Sequence, residues 1–144
     1  MYRIARVILP VICFLLLVLS KGNAHNEGTH RYESEECVLK GVLVYIVDYG
    51  PPGHGDTPEI DKKERYFALE LNHPIDVIAD EKDRVNVTHR GVNIIQLIGY
   101  GLINSERFLN KRVSVKGTLF SSHADDHHTD VLMSLKKIKL LPSF

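Results

Sequence analysis

Ten consecutive residues, Ser121-Ser122-His123-Ala124-Asp125-Asp126-His127-His128-Thr129-Asp130, hold three imidazoles and three carboxylates. Imidazole nitrogen is a ligand for Zn and Cu, and carboxylates can complete such a set. A second unusual stretch, Tyr49-Gly50-Pro51-Pro52-Gly53-His54-Gly55-Asp56, adds one imidazole and one carboxylate, with Asp61 close behind. One expectation is therefore a transition-metal site, Zn or Cu, drawn from His54, Asp56, His123, His127 and His128. Two facts weigh against simple chelation. The spacing does not fit a zinc signature such as H-E-x-x-H. Neighbouring His127 and His128 also point to opposite faces wherever a strand runs through them. The competing expectation is a polar turn. Asp125 and Asp126 would bond nearby backbone, while His128 and Thr129 would hydrogen-bond the opposite loop.

Other chemistry is poorly provided for. Ser121, Ser122 and Cys37 lack a nucleophile motif such as G-x-S-x-G. The glycine-rich stretch lacks the G-K-[ST] ending of a phosphate loop, and Pro51 and Pro52 remove two backbone donors. No catalytic residue and no cofactor is assigned, and a binding protein is favoured over an enzyme.

The elements that must position these stretches read mainly as strands. Cys37 to Tyr49 is rich in Val, Leu, Ile and Tyr and reads as a long strand kinked or bulged at Gly41. The loop from Gly50 to Glu64 runs about 15 residues, a length usually functional or disordered in compact domains. Arg65 to Leu71 alternates apolar Phe67, Leu69 and Leu71 with other residues, as a half-buried strand does. His73-Pro74 then breaks the pattern before Ile75 to Ala79. Val85 to Tyr100 is most simply a strand after Gly91, and Gly101 to Asn110 has room for a helical turn or two. Lys111 to Phe120 alternates cleanly. Val131 to Leu140 keeps Val131, Met133 and Leu135 on one face and changes phase before Ile138.

This order predicts a mainly all-β domain. We expect a small five-stranded Greek-key barrel of the oligonucleotide/oligosaccharide-binding (OB) type, with one short helix between strands 3 and 4. A small antiparallel sandwich is the alternative. In the barrel, the 1–2 and 4–5 loops flank the binding face, so Gly50–Glu64 and Ser121–Asp130 should meet. The binding candidates are Tyr49, Pro51, Pro52, His54, Asp61, His127, His128 and Thr129.

The N-terminus reads as an address. Met1 to Arg6 is short and basic, Val7 to Leu19 is apolar, and Gly22 and Ala24 are small residues three and one places before a cleavage point. The apolar run, about 13 residues, is shorter than the roughly 20 a spanning helix needs. We expect a signal peptide over 1–24, a flexible arm over 25–36 and one domain over 37–144, with no membrane span after processing. Cleavage would remove Arg3, Arg6 and Lys21 from a chain whose 18 basic and 18 acidic residues balance. The remainder would carry a net charge of −3 (15 basic, 18 acidic), which disfavours nucleic acid as a partner. Cys37 would be the one cysteine left after processing, as a buried thiol or an intermolecular link.

Several segments together carry a resemblance. They are Tyr49-Gly50-Pro51-Pro52-Gly53-His54-Gly55 with Pro58 and Asp61, then Ile95-Gln96-Leu97. Val115-Lys116-Gly117-Thr118-Leu119-Phe120 and His127-His128-Thr129-Asp130-Val131 complete the set. Over about residues 37–138 the chain resembles a family of short exported bacterial proteins known only as a domain of unknown function. The resemblance implies a Gram-negative envelope setting and carries no activity, cofactor or catalytic residue with it.

The leading expectation is a periplasmic or secreted binding module, of inhibitor or immunity type, that contacts an envelope protein or cell-wall ligand through its two end loops. The alternatives are an envelope metal binder or metal-dependent hydrolase built on the His/Asp-rich loop, and an oligosaccharide-binding OB module.

Overall fold

The structure is a computed structural model and describes residues 28–33 and 35–142. The leader expected over 1–24 lies outside the described residues. Six strands form one mixed sheet: β1 (Thr29–Arg31), β2 (Glu36–Tyr49), β3 (Lys63–Ile78), β4 (His89–Ile98), β5 (Arg112–Ser121) and β6 (Val131–Leu140). The sheet order is β1-β3-β2-β5-β6-β4, and β3 also pairs with β4. The pairings among β2 to β6 therefore return on themselves. Most neighbours are antiparallel; β4–β6 and β1–β3 are parallel. Among the described residues no helix is long and apolar enough to cross a membrane.

Alternating sequence explains why these segments are strands. In β5, Val113, Val115, Gly117, Leu119 and Ser121 are buried while the residues between them are not. Leu39 and Leu43 from β2, Leu69, Ile75 and Val77 from β3, and Ile95 and Leu97 from β4 meet them in one core. Val131, Met133 and Leu135 of β6 close it. Fully burying one such side chain stabilises by roughly 1.5–3 kcal/mol, so a one-residue register slip, which would expose a whole set, is strongly disfavoured.

Two glycines set the curvature. β2 pairs with β5 through Val42 and with β3 from Gly41 onward, so the strand changes partners there. A Cβ on Gly41 would sit 2.1 Å from the Glu70 carbonyl oxygen. The expected bulge is thus a close backbone approach without a register shift in either ladder. On Gly117 a Cβ would sit 2.2 Å from the Ser134 carbonyl oxygen. Here the β5–β6 register does shift, between Lys116 and Gly117. Lys116 faces Lys137 and Gly117 faces Leu135, so Lys136 is the extra residue, and this accounts for the phase change seen before Ile138.

Five expectations need correction. The break at His73-Pro74 is a register irregularity inside one long β3. Pro74 falls where neither β2 nor β4 is in register with the strand, so its missing N–H costs no ladder bond. β4 begins at His89, before Gly91, whose φ of +66° keeps it in the strand with an irregular backbone. The single short helix is instead two 3-10 turns, Tyr100–Leu102 and Ser105–Phe108. The expected arm contains β1, paired in parallel with Asp76–Ile78, and buried Tyr32, whose hydroxyl donates to the Val87 carbonyl at 2.7 Å. Its polar residues gave no apolar period to signal pairing, and the strand count is six rather than five.

Candidate functional site

The first loop, between β2 and β3, is organised by one carboxylate. Asp61 is buried and accepts from Gly53 N–H at 2.7 Å, Gly55 N–H at 2.9 Å, Thr57 N–H at 3.1 Å and the Thr57 hydroxyl at 3.0 Å. Burial opposes its charge, but these four donors outweigh it and hold the carboxyl below its ordinary range. A Cβ on Gly53 would lie 2.4 Å from the Thr57 hydroxyl oxygen, so glycine is required for the loop to close around Asp61. The Pro51–Pro52 bond is cis. His54, at φ +49°, is exposed beyond the turn.

The second loop, between β5 and β6, is a tight turn pinned to the sheet. Ser122 N–H donates to the Asp130 carbonyl at 2.9 Å, and His127 N–H donates to that of Ala124 at 3.1 Å. His127 Nδ1 accepts from His123 N–H at 3.0 Å, and the two rings meet edge to face with centroids 4.9 Å apart. Phe120 supports both, each at 5.7 Å. Gln96, buried on β4, holds the other side. Its Oε1 accepts from His128 N–H at 2.7 Å and its Nε2 donates to the Asp126 carbonyl at 3.1 Å. Its own N–H donates to the Thr129 hydroxyl at 3.0 Å, which in turn donates to the Val131 carbonyl at 2.6 Å.

His128 joins the two loops. Its Nδ1 lies 2.7 Å from Asp48 Oδ2 at the end of β2. An ionised carboxylate can only accept, so Nδ1 carries the proton. The ring stacks on Tyr66 of β3, with centroids 3.9 Å apart. The Tyr66 hydroxyl donates to Glu64. Burial, then the Glu64 carboxylate, push the Tyr66 hydroxyl up to about 12. Glu64 is held below its usual range, first by the Tyr66 hydroxyl and then by Lys62, 3.2 Å away. Asp48 is lowered first by the Tyr49 N–H at 2.8 Å and then by His128. His128 Nε2 is buried with no hydrogen-bond partner among the described residues.

The result is a cleft of about 360 Å³ lined by Asp48, Tyr49, His54, Ser122, Asp125 and His127 to Asp130. Of the sequence candidates, Tyr49, His54, His127, His128 and Thr129 line it. Pro51 and Pro52 are exposed outside its lining, and both oxygens of Asp61 are committed to the loop itself. His127 and His128 diverge, one to Phe120 and the other to Tyr66. His123 turns its Nδ1 to the Ser121 carbonyl at 2.9 Å. Asp56 is exposed and does not line the cleft. Among the described residues no three His, Cys, Asp or Glu side chains are grouped so as to hold a metal ion.

Sequence reasoning missed Asp48, Glu64 and Tyr66. Their signal was strand parity: Asp48 and Glu64 are direct partners across β2 and β3, and Ile46 faces Tyr66 on the same face. Gln96 stands within the Ile95-Gln96-Leu97 motif, whose pattern does not state its task. A polar residue between Ile95 and Leu97 in a strand was its clue.

A family model described as a domain of unknown function (DUF4431) matches residues 94–139. That stretch runs from β4 to β6 and includes Gln96 and the whole second loop, in keeping with an uncharacterised domain family. No curated protein and no solved structure matches the chain.

Proposed function

We propose that this protein is a non-enzymatic binding module that takes its partner in the cleft between the two end loops. One observation carries the proposal. The two chemically richest segments of the sequence share one cleft, held together where Asp48, at the end of the strand leading into the first, is hydrogen-bonded at 2.7 Å to His128 of the second, 80 residues away. The scaffold is read as an OB-type Greek-key barrel. Support comes from the pairing circuit β2-β3-β4-β6-β5-β2, the parallel β4–β6 contact, and the short turns between β4 and β5. The leader-like N-terminus makes it an exported protein of the periplasm or cell exterior. The partner is an envelope protein or cell-wall ligand, and an inhibitor or immunity role suits a small rigid domain with no catalytic motif.

The test is affinity capture from envelope extract by the tagged protein and by a His54→Ala/Asp125→Ala variant. These two side chains are exposed and line the cleft without bracing either loop. A partner retained by the parent and lost by the variant supports the cleft. Equal capture by both removes it. Loss of capture on adding a chelator would favour the metal-binding alternative.

A further inference from the structure

A further surface lies on the other face of the β2–β3 hairpin and meets the cleft at Tyr49, which belongs to both. Tyr45, Val47 and Tyr49 of β2 stand directly opposite Phe67, Arg65 and Lys63 of β3. They continue the face that carries the core pair Leu43 and Leu69. Here, however, the hairpin has run past the rest of the sheet, and Val47 is 57% exposed. Tyr45 and Phe67 stack with centroids 4.8 Å apart. Arg65 lies over Tyr45 at 6.0 Å, and Lys63 over Tyr49 at 5.6 Å.

The same stretch of β2 has an open edge. Gly50 N–H donates to the Lys62 carbonyl, which fixes the even-numbered residues of the hairpin as those bonded to β3. Leu43 N–H donates to the Lys111 carbonyl and its own carbonyl accepts from Asn110 N–H, so the odd-numbered residues point the other way. Past Leu43 the chain on that side leaves toward the turn at Ser105–Phe108. The main-chain groups of Tyr45 and Val47 therefore face outward without a strand partner among the described residues.

We infer that this edge receives an extended acidic peptide segment of a partner protein, which adds as a strand beside Tyr45–Asp48 and lays alternate side chains on the aromatic–cation face. Strand addition supplies affinity through main-chain bonds and specificity through alternate side chains. The charge pattern selects acidic side chains. Lys63 and Arg65 share this face, whereas Asp48 and Glu64 are turned to the opposite face by His128 and Tyr66. Glu106 accepts from the Tyr45 hydroxyl at 3.3 Å. A nucleic acid would find the aromatic–cation face but has no use for an open strand edge. It would also approach the carboxylates of Asp48, Asp125 and Asp130 around the neighbouring cleft.

The test uses three probes: a nine-residue peptide alternating Glu with Val, its analogue N-methylated at every second main-chain nitrogen, and oligo(dT). Binding is followed by calorimetry and by amide chemical shifts. The expected result is peptide binding with shifts centred on Tyr45–Val47, weakened at least 10-fold by N-methylation and by Val47→Pro. That substitution removes an outward N–H and leaves the β3 ladder intact. If Val47→Pro does not fold, Arg65→Gln should weaken the acidic peptide at least 3-fold. No binding of the acidic peptide overturns the inference. So do shifts confined to His54, Asp125 and His127, indifference to N-methylation, or preference for oligo(dT). Because these readouts sit on the hairpin, they can fail while capture through the cleft succeeds, and the reverse.

Discussion

Removing the Gln96 side chain should release the second loop from the sheet. Gln96→Ala deletes the acceptor of His128 N–H, 2.7 Å away, and the donor to the Asp126 carbonyl, 3.1 Å away. Asp126 is exposed, so its carbonyl can rehydrate and only the net worth of a bond is lost, about 0.5–1.5 kcal/mol. The His128 N–H lies beneath the loop, and leaving it unpaired costs about 1–3 kcal/mol. The one buried methylene lost, Cγ, adds roughly 0.8 kcal/mol. The sum is about 2–5 kcal/mol, which for a domain of this size lowers the melting temperature by at least about 6 °C. Gln96→Met restores that methylene with further apolar atoms in place of the amide and should recover roughly 1–2 kcal/mol of the loss. Thermal melting by circular dichroism reads the total. Hydrogen exchange reads the place: the His128 amide should exchange at least about 10-fold faster through local release of the loop, while Leu69 in the core reports the global loss. A Gln96→Ala protein that melts within 2 °C of the parent, with His128 equally protected, would refute the idea that Gln96 is what fastens this loop.

Three further outcomes follow from other parts of the molecule. Gly41→Val should destabilise by at least about 3 kcal/mol, because the new Cβ meets the Glu70 carbonyl and β2 is paired on both sides there; a chemical denaturation midpoint equal to the parent's would contradict the close approach. Burial pushes the Cys37 thiol up to about 11, so at pH 8 its thiolate should be roughly 200-fold scarcer than that of a free cysteine of pKa near 8.5. Iodoacetamide labelling of the native protein should be slower in that proportion and recover on unfolding; equal rates would show the thiol to be open. Asp48 is lowered in the folded state, so its contribution is present above about pH 4 and is lost as pH falls through its folded value. The melting temperature of Asp48→Asn should therefore fall less steeply than the parent's below about pH 4, and parallel curves would remove Asp48–His128 as a contributor.

Much of the fold was legible because the core strands obey a period of two with little interference. β5 alternates along its whole length, and β6 alternates until one extra residue shifts it, which the sequence registers as a phase change before Ile138. The parts that were not legible are governed by partners rather than by local pattern. Pro74 looks like a strand breaker until the ladders on either side are seen to lapse at that point. Thr29–Arg31 carries no apolar period and becomes a strand only because β3 offers Asp76–Ile78 as an edge. The Tyr100–Phe108 connection has helical spacing but spends it on two short turns, since Gly101 must lie against the Leu135 carbonyl, where a Cβ would come within 2.5 Å.

The candidate site divides in the same way. Residue type alone pointed to the histidine-rich loop, and the order of strands brought it to the proline-rich one. What type cannot reveal is which polar groups are committed to holding the loops. Asp61 resembles an available ligand in the sequence, yet four donors occupy its two oxygens. His128 resembles half of a chelating pair with His127, yet the backbone turns them apart and Asp48 takes its Nδ1. Conversely, Asp48, Tyr66 and Gln96 attract no notice one at a time, because each is an ordinary residue on an ordinary strand. They become a unit only when the second loop folds over the β3–β4 surface and His128 meets a carboxylate and a ring with its imidazole and an amide with its backbone N–H. The side chains left with unspent donors and acceptors, His54 and Asp125 above all, are therefore better candidates for contact with a partner than the more conspicuous His127-His128 pair between them.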